Sequence, residues 1–201
     1  MMTLMQACQI VDEAREEAII VTTMGAMGAT DQLAPQRPLT VACVPLMGGA
    51  ASLGMGLALA RPDRTVMVLD GDASLLMELG GLVSVAQAQP DNFFHIVINN
   101  GVQFAGLGNL QTPGHSGIDF TGLARAAGYR ACYRFDSAEQ FAAGITEVLS
   151  GPAPAFVELA VSHNDATLGP ANPAVEMTDA RFTRMGDELR GIRARLGAGR
   201  A

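Results

Sequence analysis

Two stretches of sequence decide the fold, TVMVLDGDAS at residues 65–74 and FFHIVINNG at residues 93–101. Each begins as a short apolar run, which is typical of a buried parallel strand. The first stretch ends in Asp72 and Ser74, and the second ends around Asn100. Because parallel strands bring their carboxyl ends to one edge of a sheet, we expect a carboxylate, a hydroxyl and a side-chain amide to meet there. Such oxygen ligands beside a helix N-terminus suit a divalent cation that carries a diphosphate.

The rest of the chain alternates between apolar strands and helical patterns. Helices are predicted at 4–17, 48–60, 74–89, 118–127 and 137–149, and strands at 18–23, 39–44, 65–69, 93–98 and 156–161. Gly25 and Gly28 are interpreted as the stop signal after the strand 18–23. The alternation predicts an α/β fold, with three αβα layers around a mostly parallel central sheet. We assign residues 1–165 to this domain, and residues 166–201 to a tail and a helix that packs on the domain or on a partner.

Composition narrows the classes of function. A formal net charge of −7 argues against nucleic acid or an anionic membrane as the main partner. All 13 Lys and Arg residues are arginine, which excludes a P-loop lysine and a lysine Schiff base. Three cysteines without metal-type spacing indicate reduced thiols. An acidic amphipathic N-terminus and the absence of a long apolar run lead us to expect a cytoplasmic protein without a signal peptide.

Competing motifs find little support in the sequence. No stretch matches G-x-G-x-x-G, so a Rossmann dinucleotide site is not predicted. Ser52 lies in a near match to G-x-S-x-G, but within a helical pattern, so a hydrolase with His163 as base stays a remote alternative. Among the histidines, His95 lies in a predicted strand and is interpreted as structural. His115 lies in the glycine-rich stretch 101–117 and is the one candidate for a catalytic role.

The motif residues together resemble a known family. Gly71-Asp72-Ala73-Ser74, a helix, a strand and Asn99-Asn100-Gly101 are similar to the thiamine-diphosphate motif, in which G-D-G is followed downstream by N-N. The preceding stretch from Val44 to Gly80 resembles the diphosphate-binding module of that family along its length. Within the family the chain is most similar to phosphonopyruvate and sulfopyruvate decarboxylases, on Asn100-Gly101-Val102 and on DF…ARAAGY at 119–129. The resemblance implies thiamine diphosphate and Mg²⁺ as cofactors and a 2-oxo acid as substrate.

The resemblance also implies roles for individual residues. Mg²⁺ would be held by the Asp72 carboxylate, the Asn100 amide oxygen and the Val102 backbone carbonyl. Met47 would support the bent conformation of thiamine, and the Pro45 carbonyl would accept a hydrogen bond from its aminopyrimidine ring. The complete cofactor-binding set implied is Pro45, Met47, Gly48, Gly71, Asp72, Ala73, Ser74, Asn100, Val102 and Gln103.

Two departures from the family pattern stand out. Ala73 replaces the second glycine of G-D-G, which would cost about 1 kcal/mol or more if that position required a positive φ. The stretch 103–108 replaces a threonine- and glycine-rich segment of the related decarboxylases. The first departure keeps open a second interpretation, in which the chain is a non-catalytic or degenerate cofactor-binding structural subunit.

The length of the chain adds an expectation about partners. Enzymes of this family use a glutamate on a separate pyrimidine-binding module to protonate the aminopyrimidine ring, and the diphosphate side occupies this chain. The resemblance therefore implies a β-type subunit that needs a pyrimidine-binding α partner, in a hetero-oligomer. Phosphonopyruvate and sulfopyruvate are polyanions, so a cationic side chain is expected near the substrate, and Arg37 and Arg125 are the candidates by location.

Overall fold

The computed structural model describes residues 1–35, 37–44, 46–166 and 183–197. Strands and helices alternate along most of these residues. In chain order they are β1 (Met2–Thr3), α1 (Leu4–Ala14), β2 (Ile19–Thr22), α2 (Met24–Leu33), β3 (Thr40–Ala42), α3 (Ala50–Ala60), β4 (Val66–Gly71), α4 (Asp72–Met77), α5 (Gly81–Ala88), β5 (Phe93–Asn99), β6 (Val102–Gln103), β7 (Leu110–Gln111), α6 (Phe120–Ala127), β8 (Ala131–Phe135), α7 (Ala138–Ser150), β9 (Ala155–Ser162) and α8 (Met185–Leu196).

Seven strands form one parallel sheet with the order β1-β9-β5-β4-β2-β3, and β8 also pairs with β9. β8 pairs along 155–159 of β9, and β1 pairs with Val161 and Ser162 beyond it. A parallel sheet buried between helices requires apolar strands, and the burial pattern of β4 and β5 agrees. The predicted α/β class with a mostly parallel central sheet is confirmed.

The two faces of the sheet differ in chemistry, because successive side chains of a strand point to opposite faces. One face packs against α1, α2 and α7, and we call it the apolar face. Its main strand residues are Ile20, Met67, Leu69, Phe94, Ile96, Ile98, Val157 and Leu159. The other packs against α3, α5 and α6, and we call it the mixed face. Its strand residues are Val21, Val68, Phe93, Val97 and Phe156, together with the buried polar residues Asp70, His95 and Glu158.

Three predictions about elements were wrong. The single helix predicted at 74–89 is two helices, α4 and α5, separated at Glu78 and Gly80. The pattern missed α2, because Gly25 and Gly28 were taken as a stop. A Cβ at Gly25 would lie 3.3 Å from the Leu4 side chain, so this glycine lets α2 approach α1 closely. The pattern also missed β8, β1 and the β6–β7 pair, whose strands depend on distant partners for their hydrogen bonds.

Helix α8 covers the outer edge of the sheet at β3. The Glu188 carboxylate accepts a hydrogen bond from the Ala42 backbone N–H at 2.7 Å, and Arg184 pairs with Asp31 on α2. An edge strand covered in this way cannot pair with another chain. The division of the chain at residue 165 stays a prediction, and most of the predicted tail, 167–182 and 198–201, lies outside the described residues. Among the helices described, none has the length and apolar character that crossing a membrane requires.

Candidate functional site

Asp72 ties the ends of β4 and β5 together. It is the first residue of α4, directly after β4, and only 2% of it is exposed. Its Oδ2 accepts a hydrogen bond from the Gly101 backbone N–H at 2.7 Å, and its Oδ1 accepts one from the Ala73 N–H at 2.8 Å. The first of these bonds joins two segments that are distant in sequence. Both turns of the predicted motif therefore meet at the carboxyl edge of the sheet.

Burial makes the negative charge of the Asp72 carboxylate costly. Desolvation raises the pKa of its carboxyl group, while the N–H groups of Ala73 and Gly101 oppose that rise. The nearby Asp70 carboxylate raises it further. A buried carboxylate is costly without a neighbouring positive charge. A divalent cation at this position would supply that charge.

The turn after β5 positions the other two predicted metal ligands. Asn100 Oδ1 accepts a hydrogen bond from the Val102 N–H at 3.0 Å, which leaves its second lone pair for a further contact. Gly101 has φ +72°, a conformation that favours glycine. Val102 is buried at the start of β6, and the Thr112 N–H donates to the Gly101 carbonyl at 3.0 Å. The loop after β5 therefore folds back onto the turn and holds it.

Gly48 and Ser74 join a third segment to the site. The Gly48 N–H donates to the Ser74 hydroxyl oxygen at 3.0 Å, and that oxygen keeps its own hydrogen to donate. Gly48 has φ +86°, and a Cβ there would lie 2.9 Å from the Glu78 Cβ. Only glycine meets both constraints without displacing α4. The segment between β3 and α3 is thus held directly against the Asp72 helix.

Ala73 occupies an ordinary helical position. It is the second residue of α4, and Gly71 before it has φ −112°. Because neither residue needs a positive φ, the alanine adds a methyl group without backbone strain. Its presence is therefore no argument for a degenerate site. Its backbone N–H donates to the Asp72 carboxylate.

The remaining predicted site residues lie around this edge. Pro45 lies outside the described residues. Met47 is exposed on the segment before Gly48, and Gln103 is half-buried in β6. His115 is exposed, and its backbone N–H donates to the Thr112 carbonyl at 3.1 Å. A Cβ added at Gly101 would lie 3.9 Å from the His115 Cβ. The loop therefore places His115 beside the predicted metal-binding turn.

The two predicted substrate arginines lie elsewhere. Arg37 pairs with Asp12, beside Arg15, whose guanidinium donates to the carbonyls of Ala18, Pro38 and Leu39. These carbonyls precede β2 and β3, at the amino edge of the sheet. Arg125 lies in the last turn of α6, which leads away from the carboxyl edge towards the start of β8. The location of both arginines was predicted wrongly, because the pattern does not say which edge a loop occupies.

The hydrolase alternative gains no support from the structure. Ser52 lies within α3, beside Gly81, and not at a strand-to-helix turn. His163 follows β9, and its Nδ1 lies 3.1 Å from the Asn164 carbonyl oxygen. A nucleophilic serine needs a base within hydrogen-bond reach, and no such bond joins these two side chains in the part of the chain that the structure describes.

Sequence reasoning missed a buried polar layer behind the site. Asp70 Oδ1 accepts from the Gly71 N–H at 2.8 Å, and its Oδ2 lies 3.2 Å from His95 Nε2. His95 Nδ1 lies 3.2 Å from the Tyr129 hydroxyl, whose pKa is raised by burial. On the same face, Glu158 contacts Asn99. The available signal was the presence of polar residues inside strands that are otherwise apolar.

These donors fit a magnesium ion better than a transition metal. No group of three or more His, Cys, Asp or Glu side chains suited to a metal exists among the residues described. Magnesium needs no such group, because it takes one or two carboxylates together with phosphate oxygens and water. One buried carboxylate, one amide oxygen and one backbone carbonyl near it match that preference.

The chain matches known proteins over this region. Residues 21–159 match the family described as thiamine pyrophosphate enzyme, C-terminal TPP binding domain. It is 34% identical over 153 residues to a phosphonopyruvate decarboxylase of Streptomyces viridochromogenes, covering 76% of this chain and 38% of that one. It is 34% identical over 145 residues to the sulfopyruvate decarboxylase subunit beta of Methanothermobacter thermautotrophicus, covering 72% of each.

Structural comparison agrees with these matches. The thiamine diphosphate-dependent 4-hydroxybenzoylformate decarboxylase of Rhodococcus jostii superposes with a TM-score of 0.66 at 26% identity, over 82% of this chain and 33% of that one. The chain thus spans well under half of the phosphonopyruvate decarboxylase and of this solved structure. The matched residues include Asp72, Asn100 and the strands that carry them. The chain belongs to the thiamine pyrophosphate enzymes and carries their C-terminal TPP-binding domain.

Proposed function

We propose that this chain is the diphosphate-binding subunit of a two-chain, thiamine-diphosphate-dependent decarboxylase of a 2-oxo acid such as sulfopyruvate or phosphonopyruvate. The observation that carries the proposal is the hydrogen bond from Gly101 to Asp72, because it joins the two halves of the cofactor motif. When bound, thiamine diphosphate supplies a nucleophilic carbon and an electron sink for the loss of CO₂.

The residues of this chain would bind and orient that cofactor. Asp72, Asn100 and the Val102 carbonyl would hold Mg²⁺, whose other ligands would be diphosphate oxygens and water. The Ser74 hydroxyl would donate to the diphosphate. Gly48 lets the cofactor approach the backbone, and Met47, which is exposed beside it, would support the thiamine rings.

The partner would be a pyrimidine-binding subunit that supplies the activating glutamate. Relatives named as beta subunits support this part of the proposal. So do five large exposed apolar side chains on the segments that carry or flank the site, here called the rim, which a partner chain would cover. The rim consists of Leu46, Met47, Met77, Phe104 and Leu110. Phe104 also has φ +51°, and such backbone strain in a non-glycine residue is concentrated at functional sites.

Recognition of the substrate would be shared between the two chains. His115 is the catalytic candidate of this chain, because it is exposed beside the Gly101 turn and an imidazole is the side chain most often used for general acid–base catalysis. Arg37 lies near the opposite edge of the sheet, and Arg125 lies in the last turn of a helix that leads away from this edge. The anionic group of the substrate would therefore be met by His115 and by cationic side chains of the partner.

Calorimetry and a decarboxylation assay test the proposal. We expect thiamine diphosphate to bind in a Mg²⁺-dependent manner to the complex of this chain with a pyrimidine-binding subunit from the same genome, and Asp72→Asn to abolish that binding. We expect the chain alone to release no CO₂ from sulfopyruvate or phosphonopyruvate. Full activity of the chain alone would refute the need for a partner. A reconstituted complex that binds no cofactor would refute the cofactor assignment.

A further inference from the structure

Glu158 is a buried carboxylate that the proposed cofactor site does not use. It lies in β9 on the mixed face, between Val97 of β5 and Arg134 of β8 in the sheet register, and is 0% exposed. Burying a carboxylate is costly, so its partners should show what it does. An apolar residue at this central strand position would avoid that cost.

The contacts of Glu158 are concentrated on one oxygen. Oε1 accepts hydrogen bonds from Asn99 Nδ2 at 2.9 Å and from Arg134 Nη1 at 3.0 Å. Oε2 is buried and has no hydrogen-bond partner within the described residues. Arg134 is 49% exposed and also contacts Asp136, so its pairing with Glu158 is partly solvated. Asn99 is half-buried and Arg134 is exposed, so the contact with Asn99 is the more internal of the two.

Asn99 leads directly into the predicted metal-binding turn. Its side chain is held by Glu158, while the next two residues provide the Asn100 amide oxygen and the Gly101 N–H that donates to Asp72. Gly101 adopts its positive φ without strain, but glycine is the most flexible residue, so contacts on both sides are needed to hold the turn in one conformation. The fold supplies Thr112 on one side of the turn and Glu158 on the other.

We propose that Glu158 is a positioning residue, which orients the Asn99–Asn100–Gly101 turn through the Asn99 side chain. The expected consequence is that Asn100 and Val102 are held in place to bind the cation, and this part of the inference rests on the proposed function. Partners behind the direct ligands of a metal commonly affect its affinity by about 10–100-fold. Replacing Glu158 should therefore weaken Mg²⁺ binding by more than a loss of fold stability alone would explain.

Amide hydrogen exchange of the full chain tests the positioning without any cofactor. In Glu158→Leu we expect the Gly101 and Val102 amides to exchange about tenfold faster than in the wild type. In Glu158→Gln the amide oxygen can still accept from Asn99, and we expect less than about a threefold change. Arg134→Met is the matched control, since it removes the other partner of the same oxygen and should leave these two amides unchanged.

Metal dependence provides the second measurement. In the complex with the pyrimidine-binding subunit and at fixed thiamine diphosphate, Glu158→Leu should raise the Mg²⁺ concentration for half-maximal binding by about tenfold, with partial recovery in Glu158→Gln. If Glu158→Leu does not fold, Asn99→Ala removes the same hydrogen bond by changing the half-buried partner. It should give the same faster amide exchange and the same rise in the Mg²⁺ concentration. Equal effects of Glu158→Leu and Arg134→Met, or unchanged exchange at Gly101, would overturn the inference. A wild-type complex that shows no Mg²⁺-dependent binding would instead refute the proposed function, and the exchange result would then decide this inference.

Discussion

The two faces of the sheet use their buried residues differently. On the apolar face, strand residues such as Met67, Leu69 and Ile96 pack in one core cluster of apolar side chains. On the mixed face, Asp70, His95 and Glu158 interrupt an equally buried surface. Burial of apolar area contributes about 25 cal/mol per Å² on either face, whereas buried polar groups contribute little net stability even when they are paired.

The location of the polar groups explains the difference. Asp70 precedes the Gly71–Asp72 turn, and Glu158 holds Asn99 before the Asn100–Gly101 turn. Each buried carboxylate thus contacts the residue next to a predicted metal ligand. The apolar face stabilises the domain, and the mixed face also positions the site. Four experiments test this difference between the two faces.

The largest effect is expected on the apolar face. Phe141 on α7 is fully buried and its ring centroid lies 5.4 Å from that of Phe135. Phe141→Ala should lower the free energy of unfolding by about 3–5 kcal/mol, since it leaves a cavity in a tightly packed core. Urea denaturation followed by circular dichroism measures this. A loss below about 1 kcal/mol would show that the apolar face is not the main source of stability.

A smaller loss is expected on the mixed face. His95→Leu removes the group between Asp70 and Tyr129, which leaves a carboxylate oxygen and a hydroxyl without their partner. We expect a loss of about 2–3 kcal/mol, and about 1 kcal/mol for the matched variant Tyr129→Phe, which removes the hydroxyl alone. The same denaturation experiment measures both. Equal stability of His95→Leu and wild type would mean that the polar layer carries no net energetic role.

The exclusion of water from the apolar face can be tested with Cys8, which is buried there. Burial raises the pKa of its thiol from 9.0 to about 12. Between these pH values the unfolded chain loses the thiol proton while the folded chain keeps it, so stability falls as pH rises, by up to about 1.4 kcal/mol per pH unit. Cys8→Ala should remove that part of the slope. Cys132→Ala is the control, because its thiol is only half-buried, and an equal change of slope in both variants would contradict the prediction.

The smallest effect is expected at the helix that begins with Asp72. Ala73→Gly restores the usual family residue in a helical position, so it should cost about 0.5–1 kcal/mol of stability through backbone entropy. Because Ala73 causes no strain, cofactor affinity should change less than about twofold. Thermal denaturation and calorimetry with thiamine diphosphate measure the two quantities. A large gain in affinity would show that the alanine does weaken the site.

Elements with a strong local pattern were predictable, and those that depend on distant contacts were not. The run before Gly71 predicted β4, and the helix predicted at 137–149 is α7, for which Ser137 is the N-cap. Helix α2 was missed because glycines are poor helix formers in isolation, and the close approach to α1 that Gly25 permits is a tertiary contact. The location of Arg37 was wrong because the side of the sheet on which a loop lies is not encoded in its own residues.

For this protein the sequence alone determined the alternation of strands and helices, the parallel sheet and the family motif around Asp72 and Asn100. These features are local, since they follow from the period of apolar residues and from residue types at turns. The tertiary structure was needed to show that the Gly101 N–H donates to Asp72, that Ala73 is unstrained and that Asn99 donates to Glu158. Those contacts join segments from different strands, and their geometry depends on the register and twist of the whole sheet.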